Sequence, residues 1–393
     1  MSKPLYVSQD QYVTYEELLT SINGTTKISE EYRAANYFDF AVNVLTAIVH
    51  NQDVVLIDYR NSFVKASTSF IDVSKVDLSM PSMLERIKKS TSKIGIYSSG
   101  TEGNPKLIYQ PVSRLLQSVR IEGLYENSVW GFTYNPAHSA GIQMLLQVVC
   151  NQAAIVDLYK CSRTQVLAQL EDHQVQFLSA TPTFYRTLAP YDFKFEAVKS
   201  ITLNGEKSSQ ELIDKVKSCF PNARVRNIYG STEAGPLMSS DSTKFKVPTR
   251  LIEKVKIEND ELCLHKSLVS RSVESSEWYA TGDLVEIVEK DPLTINFVSR
   301  RSRIINVGGQ NVNPQEVEER LLTHGAVKDS RVYGRKSSLM GHLVVAEVQV
   351  MSDVSEKDLL DYCRQHLTNY KVPRIIKFVE LIKVGRTGKK ELN

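Results

Sequence analysis

The chain has 393 residues, of which 42% are hydrophobic and 24% charged, and this length suits one large domain and one smaller domain. Its 48 basic and 45 acidic residues leave a formal net charge of +3, which argues against a nucleic-acid partner. Five dispersed cysteines without CxxC spacing argue against a disulfide framework or a zinc site, and they favour reduced thiols in a cytoplasmic protein.

The beginning of the chain carries no sign of export. Residues 1–10 lack a basic segment followed by an apolar core, so we expect no signal peptide. The longest apolar run, Phe40–Val49, is interrupted by Asn43 and Thr46 and is too short to span a membrane. The expectation is a soluble cytoplasmic protein with no membrane span.

Apolar segments of strand length alternate with helix-like segments in the first part of the chain. The predicted strands are Val54–Ile57, Ile94–Tyr97, Ala154–Asp157, Phe177–Ser179, Ser200–Leu203 and Val225–Ile228, and the predicted helices are Ser113–Ile121, Arg163–Asp172 and Ser209–Phe220. Alternation at this spacing predicts an α/β fold in which parallel-rich sheets are flanked by helices.

The pattern changes near Leu251, after which short segments of alternating polarity predict a small antiparallel or barrel-like sheet. A further unit of the α+β type follows. Its elements are a helix over Pro314–Leu322, strands over Asp329–Tyr333 and Leu343–Val350, and a helix over Ser355–Leu367. Charged residues cluster at Ser299–Arg303, so we predict a large domain over residues 1–301 and a small, mobile domain over residues 302–393.

A segment rich in small and hydroxylated residues, 98–106, directly follows the predicted strand Ile94–Tyr97. Glycines and hydroxyls let backbone N–H groups approach a polyphosphate, and Lys106 would add a positive charge. The segment is not a Walker A loop, because Pro105 stands where that motif requires a glycine and no Ser or Thr follows the lysine. Taken alone, it fits an ordinary polar turn equally well.

This segment resembles the phosphate-binding loop of the adenylate-forming superfamily, which includes acyl-CoA synthetases, carrier-protein-loading adenylation domains and luciferases. Further segments resemble the motifs of that family in the required order. They are Thr14–Leu18, Pro136–Gly141, Ala180–Thr183, Asn204–Glu206, Asn227–Glu233, Trp278–Asp283, Val298–Gly309, Asn313–Glu318, Tyr370–Pro373 and Arg386–Lys389. The resemblance covers nearly the whole chain, and its most specific matches lie near Ser98, Tyr229, Arg300 and Lys389.

The resemblance implies an ATP and Mg²⁺ site. In it Tyr229 would stack on adenine, Thr232 would donate to the α-phosphate, and Asp283 would accept from the ribose hydroxyls. Glu233 would hold Mg²⁺ against the phosphates. The other residues implied to bind the nucleotide are Ser98, Ser99, Gly100, Thr101, Gly103, Asn204, Gly205, Glu206, Gly230 and Arg300, with Lys106 beside the phosphates.

The resemblance also implies a mechanism with two half-reactions. Lys389 would bridge the carboxylate and the α-phosphate, whereas its neighbour Lys390 is expected to be a solvated lysine. The small domain would then rotate about a hinge at Ser302 and present another face to a thiol. Gly308 and Gly309 would let a pantetheine arm approach closely.

Two residues of the Pro136–Gly141 segment, His138 and Gly141, are implied to line the acyl pocket or gate the thiol. The alternative for His138 is a polar loop residue that follows a proline. The stretch Gly131–Asn135 holds no acidic residue to pair with a substrate ammonium, which disfavours an α-amino acid. Four aromatic residues suggest an apolar or aromatic acid instead: Phe132, Tyr134, Phe184 and Tyr185.

Three departures from the family pattern stand out. The region between Tyr15 and Ser98 is much shorter than in typical members, which favours oligomerisation, with a homodimer as the candidate state. Ser302 replaces the usual Asp or Lys of the hinge, and Asn204 replaces a glycine near the adenine. The shortened region would alter the wall of the acyl pocket, and Ser302 would alter the ease of the domain rotation.

The resemblance implies ATP-dependent activation of a small carboxylic acid to an acyl-adenylate, with release of pyrophosphate, and acyl transfer to coenzyme A. A first alternative is an adenylating enzyme that loads an acyl or aryl group onto a carrier-protein phosphopantetheine. A second is a non-catalytic nucleotide-binding homologue, which the short N-terminal region and the altered hinge suggest. Retention of Lys106, Glu233, Asp283 and Lys389 argues against the second alternative.

Overall fold

The computed structural model describes residues 3–8, 11–33, 36–58, 69–98, 106–270, 276–337, 341–383 and 390. Its helices are α1 (Tyr15–Gly24), α2 (Tyr37–Val49), α3 (Met80–Lys89), α4 (Val112–Leu115), α5 (Ser139–Cys150), α6 (Arg163–Asp172), α7 (Pro182–Thr187), α8 (Gln210–Cys219), α9 (Pro314–Leu322) and α10 (Glu356–His366). Among these described residues, no helix is both long enough and apolar enough to cross a membrane.

The strands of the large domain begin with β1 (Pro4–Val7), β2 (Tyr12–Thr14), β3 (Lys27–Ser29), β4 (Glu31–Arg33), β5 (Val54–Ile57), β6 (Phe70–Asp72), β7 (Lys93–Ser98), β8 (Lys106–Pro111), β9 (Val129–Phe132), β10 (Ala154–Asp157), β11 (Phe177–Ala180), β12 (Ser200–Asn204), β13 (Arg224–Ser231) and β14 (Gly235–Ser240). The largest sheet has the order β14-β13-β12-β11-β9-β10-β1-β2, and a second has the order β4-β5-β7-β8. The inner neighbours of the largest sheet pair in parallel, and its two edge strands are antiparallel.

The remaining strands form two separate sheets. They are β15 (Lys244–Lys246), β16 (Val255–Glu258), β17 (Glu261–His265), β18 (Trp278–Lys290), β19 (Leu293–Arg300), β20 (Ile305–Val307), β21 (Gln310–Val312), β22 (Val327–Ser337), β23 (Gly341–Val350) and β24 (Ile375–Phe378). An antiparallel sheet has the order β15-β19-β18-β17-β16, and the last sheet has the order β21-β20-β23-β22 with β24 beside β23. The predicted fold class is therefore confirmed, including the small antiparallel sheet and the final α+β unit.

Local capping explains why several helices start where the sequence predicts. At α1 the Thr14 hydroxyl accepts from the Glu17 backbone N–H, and the Glu17 carboxylate accepts from the Thr14 backbone N–H at 2.7 Å. At α9 the cap is Asn313, whose Oδ1 accepts from the Gln315 backbone N–H at 3.0 Å, and Pro314 occupies the first turn. The sequence signals for these two helix starts are thus satisfied by short-range contacts.

One predicted helix, Ser113–Ile121, is wrong as a single element. The chain forms the short helix α4, then a 3₁₀ turn at Leu116–Ser118, and then leaves the helical path. The reason is tertiary: the Arg120 backbone N–H donates to the Gln147 side chain of α5 at 2.9 Å, and the Arg120 carbonyl accepts from Gln147 and from Asn151, the C-terminal cap of α5. These contacts replace the helical hydrogen bonds that the local pattern favours.

Among the described residues, the buried apolar side chains form four clusters. Separate clusters lie around α2 and α5, around α6 and α8, within the antiparallel sheet β15–β19, and within the final α+β unit. The run Phe40–Val49 is the buried face of α2. The largest sheet contributes to the first two clusters, and the first of these also includes β5 and β7 of the second sheet. The antiparallel sheet and the final unit each have a core of their own.

The topology brings the matched motifs to one edge of the largest sheet. Neighbouring parallel strands β11, β12 and β13 end at Ala180, Asn204 and Ser231, so the segments that follow them emerge side by side. Ligands of open α/β sheets bind at the carboxyl ends of the strands. This edge is therefore where a site is expected.

Candidate active site

A cavity of about 310 Å³ lies at this edge, between the largest sheet, the antiparallel sheet and the final α+β unit. Many of the residues that the sequence singled out line it: Lys106, Gly205, Glu206, Tyr229, Gly230, Thr232, Glu233, Asp283 and Arg300. They come from positions far apart in the chain, and the fold brings them to one cleft.

Other predicted residues lie outside this cleft or outside the described residues. Ser99, Gly100, Thr101, Gly103 and Lys389 belong to the part of the chain that the structure does not describe. Ser98 is described by its backbone, which pairs with Lys106 across β7 and β8. The ends of the 99–105 segment are thereby fixed, with Lys106 at the cavity.

Asp283 accepts a hydrogen bond on each of its two carboxylate oxygens. Its Oδ1 accepts from Arg300 Nε at 2.8 Å and its Oδ2 accepts from the Tyr229 hydroxyl at 2.8 Å. The side chain is buried, with the residue 9% exposed, so these bonds replace the water it has lost. Burial tends to lower the pKa of Arg300, but Asp283 more than offsets this and raises that pKa above its ordinary value.

Tyr229 forms an aromatic wall of the cavity. Its ring stacks on Phe297 with the ring centroids 4.1 Å apart and an interplanar angle of 23°. Burial, together with the charge of Asp283, raises the pKa of the Tyr229 hydroxyl well above its ordinary value. The phenol therefore stays protonated and donates to Asp283, which fixes the plane of the ring.

The turn that carries Thr232 and Glu233 is anchored by its backbone. The Gln110 side chain donates to the Thr232 carbonyl at 2.5 Å, and the Ser270 backbone N–H donates to the Glu233 carbonyl at 2.8 Å. Gly230 is required just before this turn, because a Cβ there would lie 2.4 Å from the Gly235 carbonyl oxygen. The side chains of Thr232 and Glu233 are left to face the cavity.

Asn204 does not line this cavity. Its Nδ2 donates to the Tyr134 hydroxyl at 2.7 Å and lies 3.2 Å from Ser179 Oγ, so the side chain is held at the sheet edge. The contact of Asn204 with the nucleotide stays a prediction, whereas Gly205 and Glu206 beside it do line the cavity.

The aromatic residues suggested for the acyl pocket are buried or packed against the core. Phe132 and Tyr185 are 1% and 0% exposed, and the Tyr185 hydroxyl donates to the Thr202 carbonyl at 3.1 Å. Phe184 packs edge-on against Tyr185 with the ring centroids 5.7 Å apart. Their suggested role beside an apolar or aromatic acid stays a prediction.

His138 and Gly141 lie at the start of α5, away from the nucleotide cavity. His138 is the N-terminal cap residue of this helix, and its Nε2 lies 3.8 Å from Asp58 Oδ2. A Cβ on Gly141 would lie 2.6 Å from the Asn135 carbonyl oxygen, so the helix start packs directly on the preceding loop. Local packing accounts for the glycine, and the pocket or gate role of both residues stays a prediction.

The predicted hinge lies between two ion pairs. Ser302 is the middle residue of the 3₁₀ turn Arg301–Arg303. Arg301 Nε lies 2.9 Å from Glu261 Oε2 of β17, whereas Arg303 Nη2 lies 2.9 Å from Glu318 Oε1 of α9. The chain thus passes from one sheet system to the other at this residue.

The predicted thiol-channel glycines form a tight turn. Gly308 and Gly309 connect β20 to β21, with φ values of 57° and 83°. Positive φ at both central residues is the requirement of a type I′ hairpin turn, which glycine meets without strain. Their role beside a pantetheine arm stays a prediction.

The expectation that Lys390 is solvated is wrong. Lys390 is 9% exposed, its Nζ lies 2.7 Å from Asp329 Oδ1, and its backbone N–H donates to Glu206 Oε1 at 3.1 Å. Sequence reasoning also missed Lys207, whose Nζ lies 2.8 Å from Glu319 Oε1 of α9. The local signal for Lys207 was its position directly after a matched motif, and nothing in the sequence near Lys390 indicates its distant partners.

Comparisons with known proteins agree with this geometry. The sequence model of the AMP-binding enzymes matches residues 35–261, and that of their C-terminal domain matches residues 316–389. The 2-succinylbenzoate–CoA ligase of Bacillus velezensis is 28% identical over 311 residues, which are 71% of this chain and 63% of that enzyme. That of Bacillus subtilis is 28% identical over 331 residues, which are 76% of this chain and 66% of that enzyme. The chain therefore matches less than two thirds of the length of these two curated relatives.

Solved structures show the same fold. The o-succinylbenzoate CoA synthetase of Bacillus subtilis, in complex with its acyl-adenylate intermediate, has a TM-score of 0.70 at 19% identity and covers 99% of this chain and 94% of its own. ATP-bound MatB of Rhodopseudomonas palustris has a TM-score of 0.70 at 14% identity and covers 99% of this chain and 94% of its own. At such identities the likeness concerns the fold alone. Since the first sequence model spans more than half of the chain, this protein is a member of the AMP-binding enzyme family.

Proposed function

We propose that this protein activates a carboxylic acid with ATP and transfers the acyl group to coenzyme A. In the first step a carboxylate oxygen forms a bond to the α-phosphorus and the bond to the β-phosphate oxygen breaks, which releases pyrophosphate. In the second step a thiol sulfur, having lost its proton, bonds to the acyl carbon and AMP leaves. The observation that carries the proposal is the cavity that Tyr229, Glu233, Asp283 and Arg300 share.

The side chains of the cavity suit an adenine nucleotide. The exposed face of the Tyr229 ring would stack on the base, since Phe297 already supports the other side. Asp283 would accept from ribose hydroxyls, with Arg300 keeping the carboxylate oriented. Lys106, at the end of the 99–105 segment, would neutralise phosphate charge.

The donor set fits a Mg²⁺ ion that arrives with the nucleotide. Among the described residues, no group of three or more His, Cys, Asp or Glu side chains gathers that would hold a metal alone. Mg²⁺ is usually bound through one or two carboxylates, substrate phosphates and water. Glu233 would supply such a carboxylate, and the ion would neutralise phosphate charge during the attack.

The order of the two steps would depend on the small domain. Lys389 would bridge the carboxylate and the α-phosphate in the first step, and the domain would then turn about Ser302. The ion pairs of Arg301 and Arg303 on the two sides of Ser302 support a pivot there, and a division of the chain after residue 301. Gly308, Gly309, His138 and Gly141 would serve the thiol and the acyl group.

The acid itself is proposed from the relatives. The two bacterial enzymes are named for 2-succinylbenzoate, which makes that compound the first acid to test. Coenzyme A is the proposed acceptor for the same reason, with a carrier-protein phosphopantetheine as the alternative. We further propose a cytoplasmic location, which the free cysteines support, and a homodimer, which sedimentation velocity would test.

The test is acid-dependent exchange of labelled pyrophosphate into ATP, over 2-succinylbenzoate and a panel of aryl, fatty and short-chain acids. We expect exchange with at least one acid, and formation of its thioester only after coenzyme A is added. A phosphopantetheinylated carrier protein at equal concentration distinguishes the alternative acceptor. Tight AMP binding without exchange on any acid would overturn the proposal in favour of a non-catalytic nucleotide-binding protein.

A further inference from the structure

Lys390 is held by both domains at once. Its Nζ lies 2.7 Å from Asp329 Oδ1 and donates to the Ser330 carbonyl at 2.5 Å, and both partners belong to β22 of the small domain. Its backbone N–H donates to Glu206 Oε1 of the large domain at 3.1 Å. The residue is 9% exposed, so its ammonium needs the Asp329 carboxylate to offset the loss of water.

Glu206 is itself fixed by the large domain. Its Oε2 accepts from the Thr183 backbone N–H at 3.0 Å and from the Thr183 hydroxyl at 2.7 Å. Arg186 Nη1 lies 4.0 Å from the same oxygen. One carboxylate oxygen is therefore used at the start of α7, and the other is directed at Lys390. Bonds to an ionised acceptor are stronger than neutral ones.

The next residue provides a second contact between the domains. Lys207 Nζ lies 2.8 Å from Glu319 Oε1 of α9, with the Lys207 side chain 19% and the Glu319 side chain 40% exposed. Two consecutive residues after β12 thus contact the small domain at two separate places. A rotation of the small domain about Ser302 would separate the partners of both contacts.

We propose that Glu206 and Lys390 are positioning residues for the adenylation step, and that Lys207 and Glu319 dock the small domain for that step. The inference rests on the proposed function. The N–H that Glu206 accepts belongs to Lys390, the residue that follows Lys389 in the sequence, so the bond holds the backbone of Lys390 against the large domain. Because a rotation of the small domain would separate these partners, the contacts would serve the first half-reaction alone.

The contact between Lys390 and Asp329 is tested with the double variant Lys390→Met, Asp329→Asn. This variant removes both buried charges together, so neither charge is left unpaired. We expect pyrophosphate exchange to fall about 10- to 100-fold, since misplacement of a catalytic group is costly, with the KM for ATP little changed. Thioester formation from a supplied acyl-adenylate should stay within about twofold of wild type, because the domain rotation proposed for that step would separate these contacts. Equal losses in both half-reactions, or unchanged exchange, would overturn the proposal.

The docking pair is tested by charge reversal. Lys207→Glu alone should lower exchange, and the double variant Lys207→Glu with Glu319→Lys should restore it, because the ion pair is rebuilt with opposite signs. Lys215→Glu is the matched control, since Lys215 forms an ion pair with Glu211 within α8 and contacts no second domain through it. A double variant as impaired as the single one would count against docking.

Pyrophosphate exchange by the wild-type protein and by the variants separates this proposal from the proposed function. If the wild-type protein catalyses pyrophosphate exchange with some acid and the variants exchange equally well, the positioning proposal alone is wrong. If the wild-type protein catalyses pyrophosphate exchange with no acid, the proposed function is wrong. In that case energy transfer between dyes on the two domains still measures docking, and Lys207→Glu should shift the domain distance if the contact matters.

Discussion

Asp283 and Arg300 face each other across the neighbouring strands β18 and β19, and Arg300 Nε donates to Asp283 Oδ1 at 2.8 Å. The Tyr229 hydroxyl donates to the other carboxylate oxygen. The carboxylate is therefore oriented before any nucleotide arrives, and a ribose would meet an acceptor that needs little rearrangement.

Replacing Asp283 by Asn should weaken ATP binding about 10- to 100-fold, because hydrogen bonds to a charged acceptor contribute about 1.5–3 kcal/mol. Calorimetric titration of the variant with ATP and Mg²⁺ measures this. Asp241→Asn is the control, since the Asp241 contact with Lys217 uses the backbone carbonyl and survives the change. Equal affinities for the Asp283 variant and wild type would place the ribose elsewhere.

Tyr229 offers a way to separate stacking from hydrogen bonding. Tyr229→Phe keeps the ring on Phe297 but loses the donor to Asp283, whereas Tyr229→Ala loses both. We expect the Ala variant to bind AMP about tenfold more weakly than the Phe variant, in keeping with a stacking contribution of about 0.5–1.5 kcal/mol. Indistinguishable dissociation constants for the two variants would rule out stacking on this ring.

Gly141→Ala should destabilise the protein by about 1–3 kcal/mol, because the added Cβ would press on the Asn135 and Pro136 backbone. Urea denaturation measures the free energy of unfolding. Gly24→Ala is the matched control: a Cβ there meets nothing within 4 Å, and its effect should stay within about 0.5 kcal/mol. A Gly141 variant as stable as the control would mean that the helix start shifts freely.

Asp157 should make stability depend on pH. Burial raises its pKa above the ordinary value of 3.8, although the Tyr6 hydroxyl donates to it at 2.6 Å and lowers the pKa in part. The folded state thus binds this proton more tightly than the unfolded state. The stability it contributes is full below pH 3.8 and is lost as pH rises through the raised pKa.

Asp157→Asn should remove that dependence, so the variant should gain stability relative to wild type as pH rises from about 4 to about 7. Urea denaturation at both pH values gives the comparison, with the Asp241→Asn variant as a control. A difference between variant and wild type that is the same at both pH values would show that Asp157 ionises equally in the folded and unfolded chain.

The sequence predicts most of the fold because local patterns and the fold agree there. Helices α6 and α9 have the predicted bounds, since a capping residue, an apolar stripe and a favourable first turn coincide. The helix predicted over Ser113–Ile121 does not form as one element, because Gln147 and Asn151 hydrogen-bond to the Arg120 backbone. No local sequence pattern indicates these contacts.

The candidate site was predictable as a set of motifs, but its internal contacts were not. Tyr229 and Asp283 were each found from their motifs, yet their mutual hydrogen bond joins positions 54 residues apart. The bond between Lys390 and Glu206 joins positions 184 residues apart and depends on the orientation of two domains. Contacts of this kind follow from tertiary structure alone.

The central claim is that a carboxylate oxygen attacks the α-phosphorus of ATP in this cavity. The most direct measurement uses an accepted acid labelled with oxygen-18 in its carboxylate, followed by mass spectrometry of the products after coenzyme A is added. We predict AMP that carries one heavy oxygen atom, because the bridging oxygen stays with phosphorus when the thiol takes the acyl group. Unlabelled AMP, or heavy oxygen in inorganic phosphate or pyrophosphate, would contradict the account.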